Sequence, residues 1–257
     1  CVAAIMACKI TGIQSLGVMT DMPGLMVRFE REQRLPWRTR IATGIIKWCL
    51  NNFKKYVFLT EAMNVVNERK RPYIVMEGMS DRFMATYKRP FEAKDIKVVM
   101  YAGGLHERYG LKKLTEAFMM LPQENFRLKL FGSGPFVEKL KTKYTKKDSR
   151  IQYMGVAPNA EVVAAELDAS LLVNPRPTHE EFTKYSFPSK NIEYMASGTP
   201  LLTTKLPGMP KEYYPYVFLI ENESVEGYAK ALESVLAQSD EELYVFGEKA
   251  KDFVLEK

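Results

Sequence analysis

The chain has 257 residues, 46% of them hydrophobic, and carries 37 Lys and Arg against 31 Asp and Glu, a net charge of +6. That apolar content can build one large domain or two small ones and excludes a disordered, collagen-like or repetitive chain. No apolar run reaches the roughly 18 residues of a membrane-spanning helix, and three cysteines (Cys1, Cys8, Cys49) without metal-like spacing favour a reduced, cytoplasmic setting over a disulfide framework.

In chain order, residues 1–9 read as the end of a helix already under way. They lack an initiator Met and a signal-peptide cleavage site, so the chain reads as a fragment of a longer protein. Residues 16–20 predict a strand, and Asp21 follows it before the turn Met22-Pro23-Gly24. Between Arg28 and Lys55, eight bases (Arg28, Arg31, Arg34, Arg38, Arg40, Lys47, Lys54, Lys55) meet two acids, Glu30 and Glu32, an excess equal to that of the whole chain. Trp37, Ile41, Ile45, Ile46 and Trp48 are interleaved with these bases. Two readings stay open: a solvated helix packed on a sheet, or a surface that meets anionic lipid headgroups at 28–55. No nucleic-acid-binding motif accompanies the charge. Residues 56–60 and 73–76 predict two more strands, and the polar stretch 80–95 marks a boundary between portions 1–95 and 96–257.

The second portion alternates strand and helix. Strands are predicted at 96–102, 126–131, 151–153, 169–173, 201–204 and 217–220. Helices are predicted at 111–121, from Pro135 to about 143, at 159–167 with Asn159 as a cap, after Pro188, after Ser224 and after Ser239. Repeated βα units of this length predict an α/β fold with a parallel sheet covered on both faces.

The richest stretch is 185–200. Pro188 suits the first turn of a helix, Ile192, Met195 and Ala196 form one apolar face, and Gly198 with Thr199-Pro200 stops the helix. Lys190 and Glu193, three apart, share a face near the helix start. Free amides, a positive dipole end, a Lys and a carboxylate at the end of a parallel strand suit a diphosphate joined to a ribose. The plainer reading of Lys190 and Glu193 is a surface ion pair. Gly132-Ser-Gly-Pro135 lacks the Gly-Lys-Ser/Thr ending of a Walker loop, and no Gly-x-Gly-x-x-Gly of a dehydrogenase follows a strand. His106 and His179 have no partners at metal spacing.

Several pieces stand in a telling order: Tyr101-Ala-Gly-Gly-Leu105 with Arg108 and Gly110, Leu128-Lys-Leu-Phe-Gly-Ser-Gly-Pro135, residues 151–156, Asn174-Pro-Arg176, Phe187-Pro-Ser-Lys-Asn-Ile-Glu193 and Ser197-Gly-Thr-Pro200. Upstream stand Gly17-Val-Met-Thr-Asp-Met-Pro-Gly24, Phe58-Leu-Thr-Glu61 and Glu77-Gly78. In these the chain resembles the family-4 retaining glycosyltransferases of GT-B fold, over nearly all of 97–235 and more weakly over 14–80. The resemblance implies two Rossmann-like domains: 1–95 the incomplete acceptor side with its linker, 96–257 the donor side. It implies sugar transfer from a nucleotide diphosphate sugar, UDP before GDP, with front-face attack and without metal or cofactor beyond that co-substrate. The donor-binding residues it points to are Gly103, Gly104, Arg108, Gly134, Arg176, Lys184, Phe187, Ser189, Lys190 and Glu193, and the catalytic ones Asp21, Glu181 and Lys190. Arg176 is open to clamping phosphate or pairing with Glu181.

One departure stands out. The family's Glu, seven residues, Glu pattern has its second member in Glu193, but Tyr185 stands at the first, with Glu180 and Glu181 as nearby substitutes. A glycan or lipid-linked acceptor in surface polysaccharide synthesis is expected, on the cytoplasmic side and peripheral to the membrane. The alternatives are a nucleotide-sugar epimerase of the same fold and a non-catalytic nucleotide-sugar-binding protein.

Overall fold

Three short strands near the amino end, β1 (Leu16–Met19), β2 (Lys55–Phe58) and β3 (Tyr73–Val75), pair in parallel in the order β1-β2-β3. The computed structural model describes residues 2–22, 37–79, 82–87, 91 and 93–257. Helix α1 (Val2–Thr11) precedes β1, and α2 (Trp37–Leu50) precedes β2. Strand β1 alternates exposed and buried residues, so only one face enters a core. That core is Met19, Tyr56, Phe58 and Met63, with Tyr185 packed against it. On the other side Leu16, Val18 and Ile74 are exposed. Pro23 and Gly24, and the basic residues Arg28, Arg31 and Arg34 with Glu30 and Glu32, lie outside the described residues.

Six strands build the second sheet: β4 (Lys97–Ala102), β5 (Phe126–Phe131), β6 (Ile151–Gly155), β7 (Leu171–Asn174), β8 (Leu201–Thr204) and β9 (Phe218–Ile220). All pair in parallel, in the order β6-β5-β4-β7-β8-β9. The helices between them are α3 (Leu111–Phe118), α4 (Phe136–Lys139, continued by a π-helical turn Leu140–Tyr144 and Thr145–Lys147), α5 (Asn159–Asp168), α6 (Ser189–Ala196), α7 (Val225–Leu236) and α8 (Asp240–Glu256). With both faces covered, β7 and β8 are buried at every residue, which suits the apolar runs Leu171-Leu-Val173 and Leu201-Leu202 that open them. Val99, Leu128, Leu130, Leu171 and Val173 of the strands pack with Leu114 and Phe118 of α3 and Tyr228 and Leu232 of α7. The order reverses between β4 and β7. Such a switch point, at the carboxyl ends of the strands, is where open α/β sheets bind ligands.

The helix ends follow local chemistry. Ser239 and Glu242 form a reciprocal capping box at α8, and Ser224 caps α7 through Gly227 N–H at 3.0 Å. Asn159, expected as a cap, is instead the first residue of α5. Pro158 precedes it with φ −55° and no side-chain cap, because the ring already presets the entry angle. Gly198 stops α6 in the left-handed region at φ 78°.

Two compact units emerge: 1–79 with 179–187, and 80–178 with 188–257. The sequence places its boundary at 95. Residues 82–95 join the second unit because Lys94 pairs with Asp168 at 2.6 Å, its backbone N–H reaches Asp240 at 2.9 Å, and the Lys251 ammonium donates to the Tyr87 carbonyl. Segment 179–187 joins the first unit through Tyr185 and through Thr60 Oγ1, which donates to the Lys184 carbonyl at 3.1 Å.

Candidate functional site

In the second unit the carboxyl ends of β4 and β7 are fastened to the start of α6. The Ala102 N–H donates to Tyr194 Oη at 2.8 Å, and that hydroxyl lies 3.2 Å from the Ala102 carbonyl it donates to. Asn174 Nδ2, at the end of β7, donates to Asn191 Oδ1 at 2.5 Å, and Thr203 Oγ1 donates to the Asn174 carbonyl at 3.0 Å. Asn174, Asn191 and Tyr194 are all buried, so these bonds are made in a medium where leaving them unmade costs about 1–3 kcal/mol each. The start of α6 is therefore a fixed platform.

Pro188 occupies the N-cap of α6 and offers no side-chain cap. The Asn191 N–H turns back to the Pro188 carbonyl at 2.9 Å, while the amides of Ser189 and Lys190 stay open, as helix starts leave them. Gly103 directly follows β4 at φ 144°, and a Cβ built there would lie 2.9 Å from Cε and 3.0 Å from Nζ of Lys190. Glycine here lets the lysine stem lie against the backbone. The Lys190 ammonium sits over the rings of Tyr194 and Tyr101 at 5.6 and 6.0 Å. Burial pushes it below the usual lysine range, against the pull of the Glu193 and Glu166 carboxyls. Neither Lys190 nor Glu193 makes a side-chain hydrogen bond or an ion pair of 4.0 Å or less with another described residue. The ion pair of the plainer reading is thus not formed: the two share a helix face but stay apart, each half-buried.

Two further cations gather beside them. The guanidinium carbons of Arg176 and Arg108 lie 4.8 and 5.3 Å from the Tyr109 ring centroid, and Arg108 Nε is buried without a hydrogen-bond partner among the described residues. Burial raises the Tyr101 hydroxyl to about 12, with Arg176 opposing, so Tyr101 stays neutral and donates to the Gly104 carbonyl at 3.1 Å. The loop after β4 is exposed at Gly104. Gly134 has a sufficient packing cause: a Cβ there would fall 2.3 Å from the Leu105 carbonyl oxygen.

The second unit therefore brings together Gly103, Gly104, Arg108, Arg176, Ser189, Lys190 and Glu193, with Gly134 in the adjoining loop. Asp21, Glu181, Lys184 and Phe187 belong to the first unit. Asp21 is exposed after β1, Glu181 and Lys184 are exposed at the two ends of a single 3₁₀ turn (Glu181–Lys184), and Phe187 is buried. Tyr185, at the position of the family's first Glu, is absorbed by packing on Met19, Tyr56, Phe58 and Met63. His106 packs edge-on against Tyr109, and His179 lies 3.9 Å from Glu180. Among the described residues, no group of three or more His, Cys, Asp or Glu is placed to hold a metal.

Sequence reasoning missed Glu166. It lies on α5, is 1% exposed, and its Oε2 has no hydrogen-bond partner among the described residues. Burial lifts its carboxyl to about 8, with Glu193 adding and Lys190 opposing. The one signal was a charged residue three positions after Val163, on the face that α5 buries. In the first unit, α1 and α2 border an apolar groove of about 550 Å³ lined by Val2, Met6, Ile41, Gly44, Ile45 and Trp48. Trp37, Ile41, Ile45, Ile46 and Trp48 are all exposed. Among the described residues no helix is long and apolar enough to cross a membrane.

Comparison with known proteins agrees with this architecture. The sequence profile described as glycosyl transferases group 1 matches residues 85–253. Over 112 residues the chain is 30% identical to a protein of Escherichia coli (strain K12) described as a colanic acid biosynthesis glycosyltransferase, WcaL; the match covers 42% of this chain and 27% of that protein. Sucrose-phosphate synthase from Thermosynechococcus elongatus aligns with a TM-score of 0.67 at 18% identity, over 94% of this chain and 63% of its own. HepE from Anabaena, solved in complex with UDP and glucose, aligns with a TM-score of 0.66 at 14% identity, over 99% of this chain and 70% of its own. The chain thus spans about a quarter of the curated relative it matches and under two thirds of the synthase. The fold class is α/β with parallel sheets, matching GT-B glycosyltransferases.

Proposed function

The chain belongs to the glycosyl transferases group 1 family, and we propose that it carries the donor site of a retaining, family-4 enzyme that moves a sugar from a nucleotide diphosphate sugar to an acceptor hydroxyl. The observation that carries this reading is the pair Lys190 and Glu193: a half-buried ammonium and a carboxylate, neither with a hydrogen-bond or ion-pair partner among the described residues, on the first turns of a helix at the sheet's switch point. A cation and open amides fit the diphosphate, and the carboxylate accepts from ribose hydroxyls.

Chemistry follows from the charge. As the glycosidic bond breaks, negative charge grows on the leaving phosphate. Lys190, Arg108, Arg176 and the amides of Ser189 and Lys190 oppose that growing charge, which lowers the barrier because the interaction strengthens toward the transition state. Gly103 and Gly104 allow the backbone to approach the phosphates. The donor's own phosphate receives the acceptor proton in a front-face attack, so neither a metal nor a further cofactor enters. In the first unit, Asp21 is the candidate for the acceptor hydroxyl, and Glu180 or Glu181 the candidate for the role of the Glu that Tyr185 replaces. UDP is the nucleotide of first choice, since HepE, which shares the fold, is solved with UDP.

The acceptor is a growing, lipid-linked surface glycan. Supporting this are the colanic acid relative and the exposed Trp and Ile residues of α2, which stand beside Arg40 and Lys47. The enzyme would then work peripherally on the cytoplasmic face of a membrane. The test is a panel of UDP-, GDP- and TDP-sugars, with binding read by calorimetry and transfer by labelled donor. Binding of one nucleotide with transfer only when acceptor is supplied supports the reading. Conversion of the donor alone points to an epimerase, tight binding without turnover over an acceptor panel points to a binding protein, and failure of every nucleotide to bind overturns the site.

A further inference from the structure

Glu166 has no role in the reading above, yet it is an almost wholly buried acid with an oxygen that has no hydrogen-bond partner among the described residues. It sits on the last turn of α5, whose chain leads straight into the switch strand β7. Its own carbonyl accepts from Thr199 Oγ1 at 2.7 Å, two residues beyond the C-cap of α6. The position is therefore braced on both sides, and the carboxyl stands in the field of Lys190 and Glu193. Around it, α6 contributes Lys190, Glu193 and Tyr194. On α8, Glu248 and Lys251 face the Gly198 turn, and Lys251 is committed to the Tyr87 carbonyl. Asp168, two residues on, is paired with Lys94.

A buried carboxyl of this kind has two options. Ionised, it would need the nearby ammonium as its counter-ion, and the charge of Lys190 would be partly neutralised. Protonated, it makes no such demand. We propose that Glu166, a buried acid with an unsatisfied oxygen on the helix braced against α6, is a positioning residue of the donor site that leaves the Lys190 ammonium's charge to the nucleotide diphosphate. The inference rests on the donor-site reading of α6. Burial, first, and the neighbouring Glu193, second, keep the proton on Glu166 up to about pH 8.

The consequence is a pH dependence of donor binding that belongs to a residue never touching the donor. Above about pH 8 Glu166 ionises, competes for Lys190, and adds negative charge behind the diphosphate. Wild-type affinity for UDP should be level from pH 6.5 to 7.5 and then weaken toward tenfold per pH unit, the limit for one proton. Glu166→Gln, which cannot ionise, should match wild type within about threefold at pH 6.5 and hold that affinity to pH 9. Glu166→Met, apolar and of similar length, should do the same, since the charge and not a hydrogen bond is at stake.

A second measurement needs no nucleotide. In the unfolded chain this carboxyl ionises near 4.3, but in the folded protein near 8. A raised acid contributes stability below the unfolded value and loses it as pH climbs toward the folded one. Relative to Glu166→Gln, wild type should therefore lose melting temperature steadily from about pH 5 to pH 8 and no further beyond. Parallel binding profiles for wild type and Glu166→Gln, or a constant melting difference across that range, would overturn the role of Glu166 alone. Failure of UDP and GDP to bind either protein at pH 6.5 would instead overturn the donor reading, and this role with it.

Discussion

Glu193 is the residue whose removal should separate binding from folding. Its carboxylate makes no bond within the described residues, so replacing it leaves no buried partner stranded. Glu193→Gln should fold with an unchanged melting temperature yet bind UDP about 10- to 100-fold more weakly, as expected for loss of a charged hydrogen-bond partner worth about 1.5–3 kcal/mol. An unchanged dissociation constant by calorimetry would remove Glu193 from the site. The contrast with Glu166 is instructive. Lys190 and Glu193 were legible in the sequence because helical spacing alone puts residues three apart on one face. Glu166 was not, because its burial depends on which elements cover α5. Nor were Asn174 and Asn191, polar residues that sequence reasoning sends to the surface and that the structure buries by pairing them with each other.

At the scale of elements, the strands were readable nearly to the residue. β8, buried at every residue, and β5, where Phe126, Leu128 and Leu130 alternate with the half-buried Arg127 and Lys129, both have the bounds the sequence predicts. What local pattern cannot carry is a packing decision between distant parts. Segment 179–187 lies between β7 and α6 in sequence but packs with the first unit, because the Tyr185 ring and the Thr60 hydroxyl hold it there. The π-helical turn within α4 likewise has no sequence signature. Helix α2 is the element whose role the fold leaves most open to test. Its Trp37, Ile41 and Ile45 are exposed beside Arg40, a combination that gains free energy from both apolar insertion and anionic headgroups. In liposome flotation the protein should partition to vesicles containing anionic lipid and release at high salt. Trp37→Ser with Ile41→Ser should abolish flotation without lowering UDP affinity. Equal partitioning to neutral and anionic vesicles would retire the membrane role.

For the whole molecule, the two units have unequal cores. The first has three short strands, with Leu16, Val18 and Ile74 exposed on its sheet and a described cluster around Met19, Tyr56, Phe58 and Met63. The second encloses six strands between helices, with a cluster running from Val99 to Leu243. Apolar burial supplies most of the stability, at about 25 cal/mol per Å², so the first unit should unfold at the lower temperature. The residues proposed to hold UDP, from Gly103 to Glu193, belong to the second unit. A ligand stabilises only the state it binds, by about 2.7 kcal/mol at a hundred times its dissociation constant. Scanning calorimetry should therefore show two transitions, with UDP raising the upper and leaving the lower in place. If UDP alone moved the lower transition, the nucleotide site would have to be sought in the first unit and the assignment of α6 abandoned.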